Sequence, residues 1–211
     1  MIFKIAKDKY YLFILVLYIL TSFYFLNTNT NIVVADSREN LNIAYNLYEN
    51  KTYSYSVYEN NNIKTNFREP LYPYLISIFI KFIPLEIKSF DDILINSNKL
   101  KIINIFFLII LSLSFLYISK DLKLKKSIEI LLICFILFGI YFSSINSFLT
   151  EVLAAKLLLL HSYFFYKYHI NKNFFFILLS FICLILLVFT KSVFFYWLFI
   201  FIIINLVFFL K

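Results

Sequence analysis

Charge is scarce in this chain: 15% of its 211 residues are Asp, Glu, Lys or Arg, 62% are hydrophobic, and the mean hydropathy is +0.84. A soluble globular domain carries roughly a quarter charged residues, so the composition excludes water as the main solvent of the folded chain. Glycine and proline are scarcer still, at one and three residues. Transporters with a midplane site build it from helices broken at such residues. The long apolar runs here contain almost none, which argues against that class. The two cysteines, Cys134 and Cys183, both fall inside apolar runs and read as packed side chains. Neither a disulfide pair nor a metal site is expected of them. No internal repeat is visible, and the one polar low-complexity stretch is the Asn/Thr-rich segment 27–31.

What is plentiful is aromatic and aliphatic: 28 Phe and 17 Tyr, with Ile, Lys and Asn also abundant. These types share AT-rich codons, so the bias reflects coding more than function. The formal net charge is +8, but the basic residues form short clusters beside apolar runs. A soluble basic patch for nucleic acid looks different, and no nucleic-acid partner is expected. Orientation in a bilayer explains the clusters instead.

A helix crosses the hydrocarbon core in about 20 residues, with roughly 17 to 25 tolerated. Six runs qualify: Tyr10 to Leu26, Leu100 to Ile118, Ile128 to Asn146, Val152 to Tyr168, Phe174 to Thr190 and Val193 to Leu210. The expected fold is therefore an all-α polytopic membrane protein of about six transmembrane helices, forming a single membrane domain over 1–211. Lys4, Lys7 and Lys9 before the first run, and Val33-Val34-Ala35 after it, resemble a signal peptide. The run is longer than a usual signal core, so an uncleaved anchor is the preferred reading.

Positive charge marks the cytoplasmic side. Lys4, Lys7 and Lys9, the cluster Lys120, Lys123, Lys125 and Lys126, and the pair Lys167 and Lys172 all lie inside if Leu71 to Ile83 does not cross. At about 13 residues, with prolines at its start, that segment suits an interfacial helix on the outer leaflet. Residues 27–98 then form one external loop, in which acids match the bases. Ser147 to Glu151 and the turn at Lys191 and Ser192 face out, while His169 to Asn173 faces in.

Ionisable groups near the hydrocarbon boundary are the first candidates for a site. Asp36 stands at the start of Ser37 to Glu49, whose spacing places Leu41, Ala44, Leu47 and Tyr48 on one face of a surface helix. From spacing alone Asp36 reads first as an N-cap or solvated loop carboxylate. Arg68-Glu69-Pro70 pairs a forked phosphate donor with an oxygen ligand, or is simply a charged turn. Glu151 and Lys191 stand at outer helix ends, where each also serves as a water-boundary marker. All four places share one side. His161 is expected as a polar contact inside the bundle and His169 as solvated.

At these residues the chain resembles the C-type membrane glycosyltransferase superfamily, in the branch of the protein O-mannosyltransferases and the aminoarabinose transferase-like bacterial enzymes. The likeness rests on Asp36 with its following helix, on Arg68-Glu69-Pro70-Leu-Tyr72-Pro73, on Leu149-Thr150-Glu151 and on Phe189-Thr190-Lys191-Ser192. It covers nearly the whole chain but only the N-terminal half of such enzymes. Leu71 stands where the family has Gly, and Ser37 where the mannosyltransferases have a second acid.

The resemblance implies transfer of a sugar, with inversion, from a polyprenyl-phosphate carrier to a hydroxyl of a glycan, lipid or protein at the outer face of the plasma membrane. Asp36 would be the general base and Arg68 and Lys191 the binders of the donor phosphate. Glu69 and Glu151 would orient the acceptor or hold a divalent metal ion, the one cofactor the resemblance leaves open. The competing expectation is a truncated, non-catalytic or partner-dependent membrane protein.

Overall fold

The computed structural model describes residues 9–28, 36–55, 69–82, 89–138, 148 and 150–209, and every regular element among them is an α-helix. In chain order these are α1 (Lys9–Thr28), α2 (Asp36–Glu49), α3 (Leu71–Phe82), α4 (Phe90–Ile95), α5 (Ser97–Leu100), α6 (Ile102–Asp121), α7 (Lys126–Phe138), α8 (Glu151–Asn171), α9 (Phe174–Thr190) and α10 (Phe194–Phe209). The fifth apolar run coincides with α9 end for end, and the fourth and sixth lie within a few residues of α8 and α10. The third coincides with α7 as far as Phe138; its remainder lies outside the described residues, as do Lys4, Lys7 and Val33-Val34-Ala35. By length and apolarity, one stretch among the described residues would cross a bilayer unaided: Ser97–Asp121, which joins α5 to α6. Lys9–Tyr24, Leu71–Phe82, Phe174–Val188 and Phe194–Asn205 are apolar but shorter. Six crossings is therefore more than helix length alone establishes.

Turn chemistry sets the helix limits. Ser89 and Asp92 form a reciprocal capping box at the start of α4, satisfying two backbone donors that a helix start leaves open. At the other end of α8 the chain reverses through Lys172, which takes the left-handed conformation (φ 53°) that commonly closes a helix. Asn173 then starts α9 by accepting a hydrogen bond from Phe175 N at 2.9 Å. Such a short link forces α8 and α9 into an antiparallel pair.

Polar side chains buried between helices fix how the helices meet. In the middle of the α8–α9 pair, His161 is 2% exposed; its Nδ1 lies 3.0 Å from the Ser180 carbonyl, and its Nε2 accepts from the Trp197 indole of α10 at 3.2 Å. With Nε2 accepting, the proton sits on Nδ1 and the ring is neutral. His161 is thus the bundle-interior contact anticipated for it, and His169 is exposed. Near the start of α7 the buried carboxylate of Glu129 receives hydroxyl hydrogen bonds from Tyr11 of α1 and from Ser119 of α6, the latter at 2.9 Å. Glu129, which the sequence reading did not single out, locks three helices together.

The two ends of α8 differ in character. Near its C-terminus Lys167 pairs with Asp121 at the end of α6, at 2.8 Å. Lys120 and Lys126 lie over the rings of Tyr11 and Tyr10 at the start of α1, 5.3 and 4.8 Å from their centroids. Lys120, Lys126 and Lys167 therefore share one end of the bundle. At the N-terminus of α8, Glu151 pairs with Lys191. These 21 residues, at 1.5 Å of rise each, separate the two ends by about 30 Å, the thickness of a hydrocarbon core.

Within the expected external loop the two anticipated helices are present as α2 and α3, packed on each other at the Glu151 end. A surface helix with one wet face is not what α2 becomes. Ser37, Asn40, Asn42, Ile43 and Asn46 are buried along with Leu41 and Ala44. The asparagines answer polar groups: Asn46 Nδ2 donates to Asn42 Oδ1 at 3.0 Å and to the Ser54 carbonyl at 2.8 Å.

Removing the carboxylate that joins α1, α6 and α7 takes an acceptor from two buried hydroxyls, of which Ser119 keeps the Leu116 carbonyl at 3.1 Å. Glu129→Ala is expected to cost about 1–3 kcal/mol, read as a lower midpoint of thermal unfolding of the detergent-solubilised chain. An unchanged midpoint would show that Glu129 does not join the helices.

Candidate active site

At the Glu151 end, four separate segments of chain enclose a cavity of about 250 Å³ lined by Asp36, Asn40, Glu69, Thr150, Glu151, Lys191, Ser192 and Val193. Asp36 is the first residue of α2, and Glu151 is the first of α8, following its N-cap Thr150. Glu69 stands two residues before α3, and Ser192 and Val193 immediately precede α10. The cavity is thus ringed by four helix N-termini, whose backbone dipoles supply positive partial charge. Lys191 is the C-cap of α9, and its extended backbone (φ −148°, ψ 114°) leaves the helix axis.

Specific contacts hold this ring in place. Lys191 Nζ lies 2.9 Å from Glu151 Oε1, tying the start of α8 to the end of α9. Glu69 Oε1 accepts from both the backbone N and the hydroxyl of Ser192, at 2.9 and 2.8 Å, across 123 positions of sequence. It does for α10 what a capping side chain does locally, and it fixes the turn that carries Lys191. Asn40 donates to the Phe148 carbonyl at 2.7 Å, and Phe148 N donates to the Ser37 hydroxyl at 3.1 Å. This pair docks α2 against the approach to α8.

Beside the cavity, α3 is anchored by Tyr72, fully buried, whose hydroxyl donates to Asn104 Oδ1 of α6 at 2.7 Å. Burial, and after it the negative charge of Glu151, raises the Tyr72 pKa far above its ordinary value, against the opposing Asn104 hydrogen bond. The phenol is therefore a fixed neutral donor.

Of the residues singled out in the sequence, Asp36, Glu69, Glu151 and Lys191 all line this one cavity. Arg68 lies outside the described residues, next in sequence to Glu69. Asn40, Thr150, Ser192 and Val193 were not anticipated as lining; for Ser192 the signal was its place beside Lys191, and Asn40 gave none beyond helical spacing from Asp36. Among the described residues the lining carries three carboxylates and one ammonium. Glu69 is engaged by Ser192 and Glu151 by Lys191.

Among the described residues no three His, Cys, Asp or Glu side chains gather closely enough to hold a metal ion. No family model, curated protein or solved structure matches the chain.

The Asn40 contact is expected to matter for the shape of the site. Asn40→Ala leaves a buried carbonyl at Phe148 unpaired, a loss of about 1–3 kcal/mol. Limited proteolysis should then cut near residue 148 faster than in the unsubstituted chain, and equal cutting rates would contradict the docking role.

Proposed function

We propose that this chain is a polytopic membrane glycosyltransferase of the C-type kind, with the cavity at the Glu151 end as its active site. The observation that carries the reading is the meeting of Asp36, Glu69, Glu151 and Lys191, from four distant segments, around one polar cavity at the end of an apolar bundle. A solvated N-cap needs no such company.

The membrane part of the proposal is six crossings, by α1, α6, α7 with the residues that follow it, α8, α9 and α10, with α3 lying at the interface. Its support is the outer surface of the bundle. Phe13 is 68% exposed on α1, Ile182 44% on α9, and Phe195 and Ile203 48% and 56% on α10. Large apolar side chains exposed in this number are not tolerated in water, whereas hydrocarbon covers them without penalty. In hydrocarbon, polar groups turn inward to protein partners, as Glu129 and His161 do. The lysine-rich end lies in the cytoplasm with the N-terminus, and the cavity lies at the outer face of the plasma membrane.

The chemistry follows from where charge moves. A hydroxyl of the glycan, lipid or protein acceptor attacks C1 of the sugar from the face opposite the phosphate, a bond forms between that oxygen and C1, and the C1–O bond to the carrier phosphate breaks. Asp36 takes the hydroxyl proton as the new bond forms, a contribution of roughly 100- to 10,000-fold for a well-placed base. The polyprenyl phosphate leaves with added negative charge, which the Lys191 ammonium, the ring of helix N-termini and Arg68 stabilise at the headgroup level. Glu69 steadies the Lys191 turn, and Glu151 is the second carboxylate available to the acceptor. A divalent ion would need oxygens from the substrate phosphate besides these two engaged carboxylates.

Two outcomes are expected. Asp36→Asn abolishes sugar transfer in native membranes supplied with labelled polyprenyl-phosphate sugars while carrier binding persists; retained transfer would remove Asp36 as the base. With Cys134 and Cys183 replaced by Ser, Asp36→Cys and Lys191→Cys both react with a membrane-impermeant maleimide added outside intact cells. Labelling from opposite faces would dismantle the site.

A further inference from the structure

We infer that the Lys191–Glu151 ion pair is an exchangeable plug, in which the arriving lipid phosphate displaces Glu151 from Lys191 and takes its place. This rests on the reading of the cavity as a lipid-phosphate site and assigns that site a ligand-dependent rearrangement.

Three observations point to exchange. The pair is accessible: the Lys191 and Glu151 side chains are 35% and 45% exposed, in the range where an ion pair adds little stability. A phosphate oxygen offers the same ammonium a comparable charge-assisted contact. Among the described residues the lining carries three carboxylates and one ammonium, so an anion entering the cavity gains by capturing that ammonium from Glu151. The third observation separates what moves from what stays. Glu69 holds Ser192 by two hydrogen bonds, and Lys191 N donates to the Leu187 carbonyl at 2.8 Å. The backbone beneath Lys191 is thus fixed on both sides, while its four-carbon stem is free to swing between acceptors.

Exchange has a consequence of definite sign. If Glu151 were a binding residue for the donor or for a metal that bridges to it, removing its carboxylate would weaken donor binding. As a competitor for Lys191, its removal strengthens binding.

The experiment measures binding of radiolabelled farnesyl phosphate to the full chain in zwitterionic phosphatidylcholine nanodiscs, with farnesol as the uncharged control. Farnesyl phosphate is expected to bind at least about tenfold more tightly than farnesol, and Lys191→Ala to remove most of that difference. Glu151→Gln is expected to bind roughly two- to fivefold more tightly than the unsubstituted chain. Glu151→Asp should do the same, because its shorter arm loses Lys191 while the negative charge at the start of α8 is kept. That variant guards against a helix-stability effect in Glu151→Gln. In the Lys191→Ala background Glu151→Asp should add nothing.

If Lys191→Ala binds farnesyl phosphate as well as the unsubstituted chain does, the lipid-phosphate reading falls and the exchange with it. If Lys191→Ala binds weakly but both Glu151 variants bind no more tightly than the unsubstituted chain, the exchange alone is overturned.

Discussion

A polar group held away from water must find its partner inside the protein, because leaving it unpaired costs about 1–3 kcal/mol. In a chain that is 62% hydrophobic, this constraint decides the architecture more than apolar packing does. Aliphatic and aromatic faces are interchangeable among so many apolar helices, and they permit many arrangements. The hydrogen bonds of Glu129, His161, Tyr72 and Asn40 permit few. Glu129 and Asn40 reach partners 118 and 108 positions away, and Tyr72 and His161 partners 32 and 36 positions away, and together they set which helix end lies beside which. The cavity exists because Tyr72 and Asn40 bring α3 and α2 to the same end of the bundle as the start of α8.

Charge placement follows from that arrangement. The antiparallel course of α8 and α9 puts Lys167 with Asp121 at one end and Lys191 with Glu151 at the other. The acids of the cavity sit at helix starts, where the backbone favours negative charge, and Lys191 sits at a helix end, where it favours positive charge. Local stability and the proposed chemistry thus ask for the same residue types at the same places, which is why Asp36 read alone is as well explained by capping as by catalysis. What separates the two is company: Glu69 and Lys191 join it from segments with which Asp36 has no local tie.

Much of this was legible in the sequence. Apolar runs bounded by short polar turns gave α9 end for end and α8 and α10 to within a few residues, and the spacing after Asp36 gave α2. The four cavity residues were legible as a set because the lysine clusters imply which connections share a face. Other features were not. The burial of Asn40, Asn42 and Asn46 contradicts their usual surface preference and depends on partners such as the Phe148 carbonyl, 108 positions away. Glu129 lies in a run otherwise apolar, and its partner Tyr11 is 118 positions distant, so no local pattern announces the contact. The start of α4 is a different case: Ser89 followed three residues later by Asp92 carries a capping signature that went unread within an expected loop.

The Trp197 indole also gives the molecule a built-in optical probe. It is the sole tryptophan of the chain, and its N–H rests on the imidazole that joins α8 to α9. Fluorescence excited selectively from that indole therefore reports on the junction of the last three helices, without any introduced dye.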